Sequence, residues 1–183
     1  MLLYRVFPHL HGAEPGEPGH PLYLHPVQGK GRWDNPSLYL TRYLATSAEA
    51  AVGETFANLS TWSPRMLAIP SLPGSVRRLG TYRLDETTNP LLDLDDAKAL
   101  LERHLRPTDV VVRNRPRTHG IAEKVFREGR WAGIRWWSYH RPQWALVALW
   151  STVQITSDSV DDLEGHPALL DAGKTLAKHM DRL

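Results

Sequence analysis

The sequence predicts a single α+β domain with a mixed β-sheet core and flanking helices. Three features point that way. Strand-like apolar runs and helix-like stretches of three- and four-residue apolar spacing both occur, but they do not alternate strictly, which disfavours a doubly wound parallel sheet. A chain of 183 residues suits one domain, spanning 1–183, and buries roughly two-thirds of its unfolded surface. No internal repeat or low-complexity tract divides it.

Taken in order, the first element is an N-terminal strand that carries Tyr4 and Arg5. From His11 to Pro26 the chain is punctuated by Pro15, Pro18 and Pro21 and by Gly12, Gly16 and Gly19, which reads as one long loop of the kind that often borders a site. The approach Gln28-Gly29-Lys30-Gly31 cannot pack a core, whereas Leu38 to Leu44 alternates enough apolar and aromatic residues for a strand. Arg32 then lies on the loop entering that strand, and Tyr43 near its exit. Thr46, three residues before Glu49, has capping-box spacing for a helix from Ser47 to Leu59. On that helix Ala48, Ala51, Val52, Thr55 and Leu59 form a buried stripe, and Glu54 sits on its flank, where it can face a cleft. Asp95 to Leu105 is a second amphipathic helix, with Ala97, Leu100, Leu101 and Leu105 on its apolar side and Asp95 and Asp96 favouring its start. Val110-Val111-Val112 reads as a strand. Its continuation would point Arg113, Arg115 and Arg117 the same way, although Pro116 limits it; the arginines are either a solvated loop or a contact for phosphate or an acidic partner. Ile121 to Arg130 is a further helix, Ala145 to Trp150 a short buried strand, and Ala168 to Met180 a terminal helix that begins after Pro167.

Composition narrows the chemistry. Zero cysteines exclude disulfides and thiolate chemistry, which suits a reducing cytoplasm. There is no charged-then-apolar leader and no apolar run near the ~18 residues of a membrane span, so the expectation is a soluble cytoplasmic protein. A net charge of +2 is too small to argue for nucleic acid, and no direct nucleic-acid binding is expected. Nine histidines include no metal-binding pair at helical spacing, so no metal is expected. Ser138 lacks the Gly-x-Ser-x-Gly elbow of a hydrolase nucleophile, and neither a Walker loop nor a Gly-x-Gly-x-x-Gly turn is present. The tryptophans clustered from Trp131 to Trp150 read mainly as core, with one or two available to stack on a flat ring.

The candidate site residues read from the chain itself are Arg32, Tyr43 and Glu54; Ser138 and Arg5 join them through the resemblance given below. An arginine fork suits a phosphate, a tyrosine ring can stack on a planar heterocycle, and a carboxylate can hold a ribose hydroxyl and stabilise an oxocarbenium-like centre. Each residue also has a plainer reading: Arg32 in a surface ion pair, Glu54 solvated on its helix, Tyr43 in the core with Tyr39 as its competitor for the site, Ser138 capping a turn, and Arg5 snorkelling from its strand.

In order along the chain stand Tyr4-Arg5, Gly31-Arg32-Trp33-Asp34-Asn35, Tyr43-Leu44-Ala45-Thr46-Ser47, Glu54 and Gly133-Ile134-Arg135-Trp136-Trp137-Ser138. This succession resembles the RES-domain family, toxins of bacterial toxin-antitoxin pairs named for an Arg, a Glu and a Ser. The family pattern is Tyr-Arg, Gly-Gly-Arg-Trp-Asn, Tyr-Leu-Ala-x-Ser, Glu, then Gly-Ile/Val-Arg-Tyr-x-Ser. Leu91-Leu92-Asp93-Leu94-Asp95 resembles its Leu-Asp-Leu element, and Thr118 with Ala122 its Thr-x-x-x-Ala helix start, so the likeness spans about Leu3 to Trp150. Lys30 replaces the first Gly, Asp34 replaces the Asn, and the Arg32 to Tyr43 interval is one residue longer. The resemblance implies an ADP-ribosyltransferase-like fold and a type II toxin that degrades NAD, as glycohydrolase or phosphorylase, with NAD as substrate and no cofactor. It further implies a cognate helix-turn-helix antitoxin that blocks the cleft. In that reading Glu54 is the catalytic carboxylate, Arg32 and Arg5 contact phosphates or ribose, Tyr43 walls the nicotinamide pocket, and Ser138 orients substrate or Glu54. The alternative is a protein ADP-ribosyltransferase using NAD as donor.

Overall fold

The structure, a computed structural model, describes residues 1–181. Fourteen elements follow in order: β1 (Leu2–His9), β2 (Thr41–Ala45), α1 (Ala48–Phe56), β3 (Thr61–Trp62), β4 (Val76–Arg83), β5 (Leu91–Asp93), α2 (Ala97–Glu102), α3 (Pro107–Val111), α4 (Arg115–Arg127), β6 (Gly133–Trp137), β7 (Ala145–Trp150), β8 (Thr156–Asp162), α5 (Pro167–Thr175) and β9 (His179–Met180). The class is α+β, with mixed sheet and flanking helices. The chain forms two compact units, each assembled from three stretches: Met1, Leu24–Leu44 and Leu84–Ile155 in the first, Leu2–Tyr23, Ala45–Arg83 and Thr156–Leu183 in the second.

In the first unit the strand order is β5-β6-β7-β2. β5 and β6 run parallel, while β6 and β7 are antiparallel. Gly133 opens β6 opposite Leu149, and a Cβ there would collide with the Ala148 carbonyl, so close strand approach explains this glycine. The apolar run of β7 is buried from Leu146 onward, as a strand covered on both faces must be. Trp33, Leu94, Val110, Ile134 and Leu149 are sealed from solvent around it.

The second unit sets β4 between β1 and β8. Leu3 and Phe7 of β1 and Leu79 of β4 are buried, and α1 packs against β1 and α5. Trp62 of β3 is sealed, its indole N–H donating to the Phe56 carbonyl. β3 pairs in parallel with β9.

Several expected boundaries move, each for a local reason. The strand expected over Leu38–Leu44 begins at Thr41, because Leu38 and Tyr39 are held in a turn by their N–H groups on the Asn35 carbonyl. Ser47, not Thr46, caps α1, its hydroxyl accepting from Ala50 N at 3.2 Å. That helix ends at Phe56, so Leu59 lies beyond it and Thr55 is exposed; the buried face is Ala50 to Gly53 with Phe56. The helix expected over Asp95–Leu105 contracts to Ala97–Glu102, capped by Asp96 and closed by His104 in the left-handed region at φ 53°, and Leu101 is 74 % exposed rather than buried. The valine strand is instead the end of α3, started by Pro107 and by Asp109 closing on the Arg106 N–H at 2.9 Å. The helix expected from Ile121 to Arg130 starts earlier, at Arg115, where Asn114 caps it, and ends at Arg127. The terminal helix stops at Thr175, since Ala177 at φ 49° reverses the chain into β9. β4 and the 3₁₀ turn Pro64–Leu67 were not foreseen, nor was β8, whose residues are almost all exposed and polar.

Candidate active site

Arg32 rides on a loop held at nearly every peptide within the first unit. Asp34, 3 % exposed, accepts at Oδ2 from Gly29 N (2.8 Å) and Gly31 N (2.7 Å), and at Oδ1 from the Tyr43 hydroxyl (2.8 Å). The Tyr43 oxygen itself accepts from Trp33 N at 2.8 Å, and the Tyr39 hydroxyl donates to the Trp33 carbonyl at 2.9 Å. From α4, His119 Nε2 stands 2.8 Å from the Gly31 carbonyl and Arg115 Nε donates to the Lys30 carbonyl at 3.0 Å. A carbonyl only accepts, so His119 carries a proton on Nε2. Gly31 is required by space: a Cβ would overlap the Tyr43 hydroxyl and the Asp34 carboxylate.

The Arg32 guanidinium is oriented by the end of α3. Its Nη1 donates to the carbonyls of Val110 (2.8 Å) and Val112 (2.6 Å), groups that a short helix leaves without intrahelical partners. These are charge-assisted bonds to two fixed acceptors, and they set the plane of the fork.

Tyr43 is half-buried. Burial first, and the adjacent Asp34 second, push its phenol well above the ordinary tyrosine range, so it remains a hydroxyl that donates. Tyr39 is 4 % exposed, its ring against Phe126 and Trp150, which makes it a core residue. Burial and then Asp34 raise its phenol as well. Ser138 follows β6 and is sealed from solvent; its Oγ accepts from His140 N (2.9 Å) and Arg141 N (3.2 Å), closing a turn. Trp136, two residues earlier, packs edge-on against Trp33 (5.6 Å between centroids) and Tyr43 (6.3 Å). Through that tryptophan β6 is fitted to the Arg32 loop.

The second unit holds the other two candidates. Arg5 lies on β1 opposite Gly80, and its Nη1 donates to the Tyr23 carbonyl at 3.3 Å. Burial lowers its guanidinium from the ordinary value. Glu54 is half-buried in the last turn of α1, beside the sealed Gly53. The same helix is fastened by Glu49, which accepts from the Thr175 hydroxyl at 2.6 Å.

The three arginines after the valines do not share a direction. Arg113 lies over the Tyr139 ring at 5.1 Å, Arg115 holds the Lys30 carbonyl, and Arg117 pairs with Asp109 at 2.8 Å. Among the described residues no group of acids and histidines could hold a metal ion, and no helix is long and apolar enough to cross a membrane.

The sequence model of the RES domain matches residues 2–166, a span containing Arg5, Arg32, Tyr43, Glu54 and Ser138. The chain belongs to the RES-domain family. Its fold is similar to that of a chain in the crystal structure of the M. tuberculosis MbcT–MbcA toxin–antitoxin complex, with a TM-score of 0.58 and 20 % identity over 97 % of this chain and 89 % of that one. No curated protein matches it. Sequence reasoning on this RES domain missed Asp34, His119 and Arg115 as parts of the site's scaffold. Asp34 left a trace, as an acid in the place of the motif's amide, after Gly29 and Gly31. His119 left none, because its partner Gly31 is 88 residues away.

Proposed function

We propose that this RES domain is the toxin of a bacterial type II toxin-antitoxin system and cleaves the nicotinamide–ribose bond of NAD, with a helix-turn-helix antitoxin covering its site. The observation that carries the reading is the family match across all five candidate residues. The toxin–antitoxin complex among the similar folds supports the same class. The oriented Arg32 fork supplies a grip for a dinucleotide phosphate, which neutral hydroxyls could not match.

In the reaction, the bond between the ribose anomeric carbon and the nicotinamide nitrogen breaks. Its electron pair leaves with nicotinamide, which becomes neutral. The positive charge left on the ribose is stabilised by the Glu54 carboxylate until water or phosphate attacks the same carbon, giving ADP-ribose or its 1-phosphate with loss of a proton. Arg32 and Arg5 bind the anionic part of the substrate, and Tyr43 borders the leaving ring.

The test is to incubate the purified protein with NAD, with and without phosphate, and to identify products. Nicotinamide released with ADP-ribose or its phosphate is the expected result. Label transferred from NAD onto protein side chains would replace hydrolysis with ADP-ribosylation. No loss of NAD would sink the reading.

A further inference from the structure

We propose that Asp34 is a positioning residue, whose carboxylate fixes the Lys30–Trp33 loop in the shape that aims Arg32 at an anionic substrate. This rests on the NAD-cleaving reading of the site. Asp34 is buried, yet its carboxylate has three donors: two backbone N–H groups on Oδ2 and the Tyr43 hydroxyl on Oδ1. An oxygen pair that accepts on both sides is a carboxylate. A side chain without an acceptor strands all three donors, whereas an amide can still take both glycine N–H groups on its oxygen and donate from its nitrogen to the Tyr43 oxygen, since a phenol accepts as well as donates.

The loop has little freedom to compensate. Gly31 already touches both Tyr43 and Asp34 so closely that a methyl group has no room. The Lys30 and Gly31 carbonyls are taken by Arg115 and His119, and Trp33 N by the Tyr43 hydroxyl. Releasing Asp34 frees the amides on either side of Lys30 while the carbonyls stay tied, so the chain at Arg32 twists. The guanidinium loses its register with the Val110 and Val112 carbonyls, and a small misplacement of a binding group is enough to cost about tenfold or more.

The experiment compares wild type, Asp34→Ala, Asp34→Asn and Tyr43→Phe by melting, by amide hydrogen exchange, and by KM and kcat for NAD. Asp34→Ala is expected to lose protection at the Gly29 and Gly31 amides and to raise KM by about tenfold or more with a smaller change in kcat, and Asp34→Asn, which keeps an acceptor for both amides, to restore most of each. Tyr43→Phe is expected to expose the Trp33 amide while Gly29 and Gly31 stay protected, and it keeps the test open if Asp34→Ala does not fold. Unchanged amide protection or an unchanged KM in Asp34→Ala, with wild type turning over NAD, overturns the Asp34 role alone. In Tyr43→Phe, loss of protection at Gly29 and Gly31 overturns it, because the tyrosine and not the carboxylate then holds the loop. A wild type that neither binds nor consumes NAD overturns the NAD reading and, with it, the substrate half of this proposal.

Discussion

Ser138 accepts two backbone N–H groups while itself sealed from solvent, so its removal is a stability experiment before it is a catalytic one. Ser138→Ala is expected to cost about 1–3 kcal/mol, the penalty for stranding buried donors, and calorimetric melting checks it. Glu54→Gln belongs to the other kind: it keeps shape and removes the charge that the proposed reaction needs beside its developing cation, so NAD turnover is expected to fall about 10² to 10³-fold with melting unchanged. Near-normal turnover in the folded variant would take Glu54 out of the chemistry. Arg32→Lys keeps a charge that can reach the α3 carbonyls but loses the planar fork, so weakened NAD binding in a folded protein is expected. Full activity would refute the phosphate grip. At this scale motif order, which survives in one dimension, was enough to nominate Arg32, Glu54 and Ser138 as candidates. It concealed His119 and Arg115, whose reason is a contact with residues nearly half the chain away.

Elements were legible where one signal dominates. β7 was read to the residue because six apolar residues in a row leave no other choice, whereas β8 was invisible because an edge strand of Ser and Asp carries no apolar period. Charge on that edge is itself informative: Arg83–Asp158 and Arg78–Asp162 pairs tie β8 to β4 in place of buried side chains. The terminal helix was read too long because Ala177 gives no sign of its left-handed backbone. Lys178 N and Ala177 N bond back to Gly173 and Lys174 carbonyls there, a helix stop that normally favours glycine. Ala177→Gly should therefore raise stability by up to about 1 kcal/mol, read as a higher melting temperature with activity unchanged. A lowered melting temperature would mean that the turn gains nothing from relief of that strain.

For the molecule as a whole, the paired phenols set an alkaline limit. Tyr39 and Tyr43 are both raised above the ordinary value, so above about pH 10 the unfolded chain releases protons that the folded chain keeps. Their contribution to stability is intact below about pH 10 and is lost as the pH rises toward their folded values. Urea unfolding across that range should show the decline, shallower in Tyr43→Phe; parallel slopes would reject it. The makeup of the second unit reaches further, into how the protein is born. Its pieces, residues 2–23, 45–83 and 156–183, are separated by the bulk of the first unit. During synthesis at ~5–20 residues per second, β4 waits several seconds with one edge open before β8 emerges, and α1 waits for α5. Until then the helix bearing Glu54 has β1 but not α5 to pack against. Anything that recognises the finished second unit meets it only after the last of those pieces has been translated.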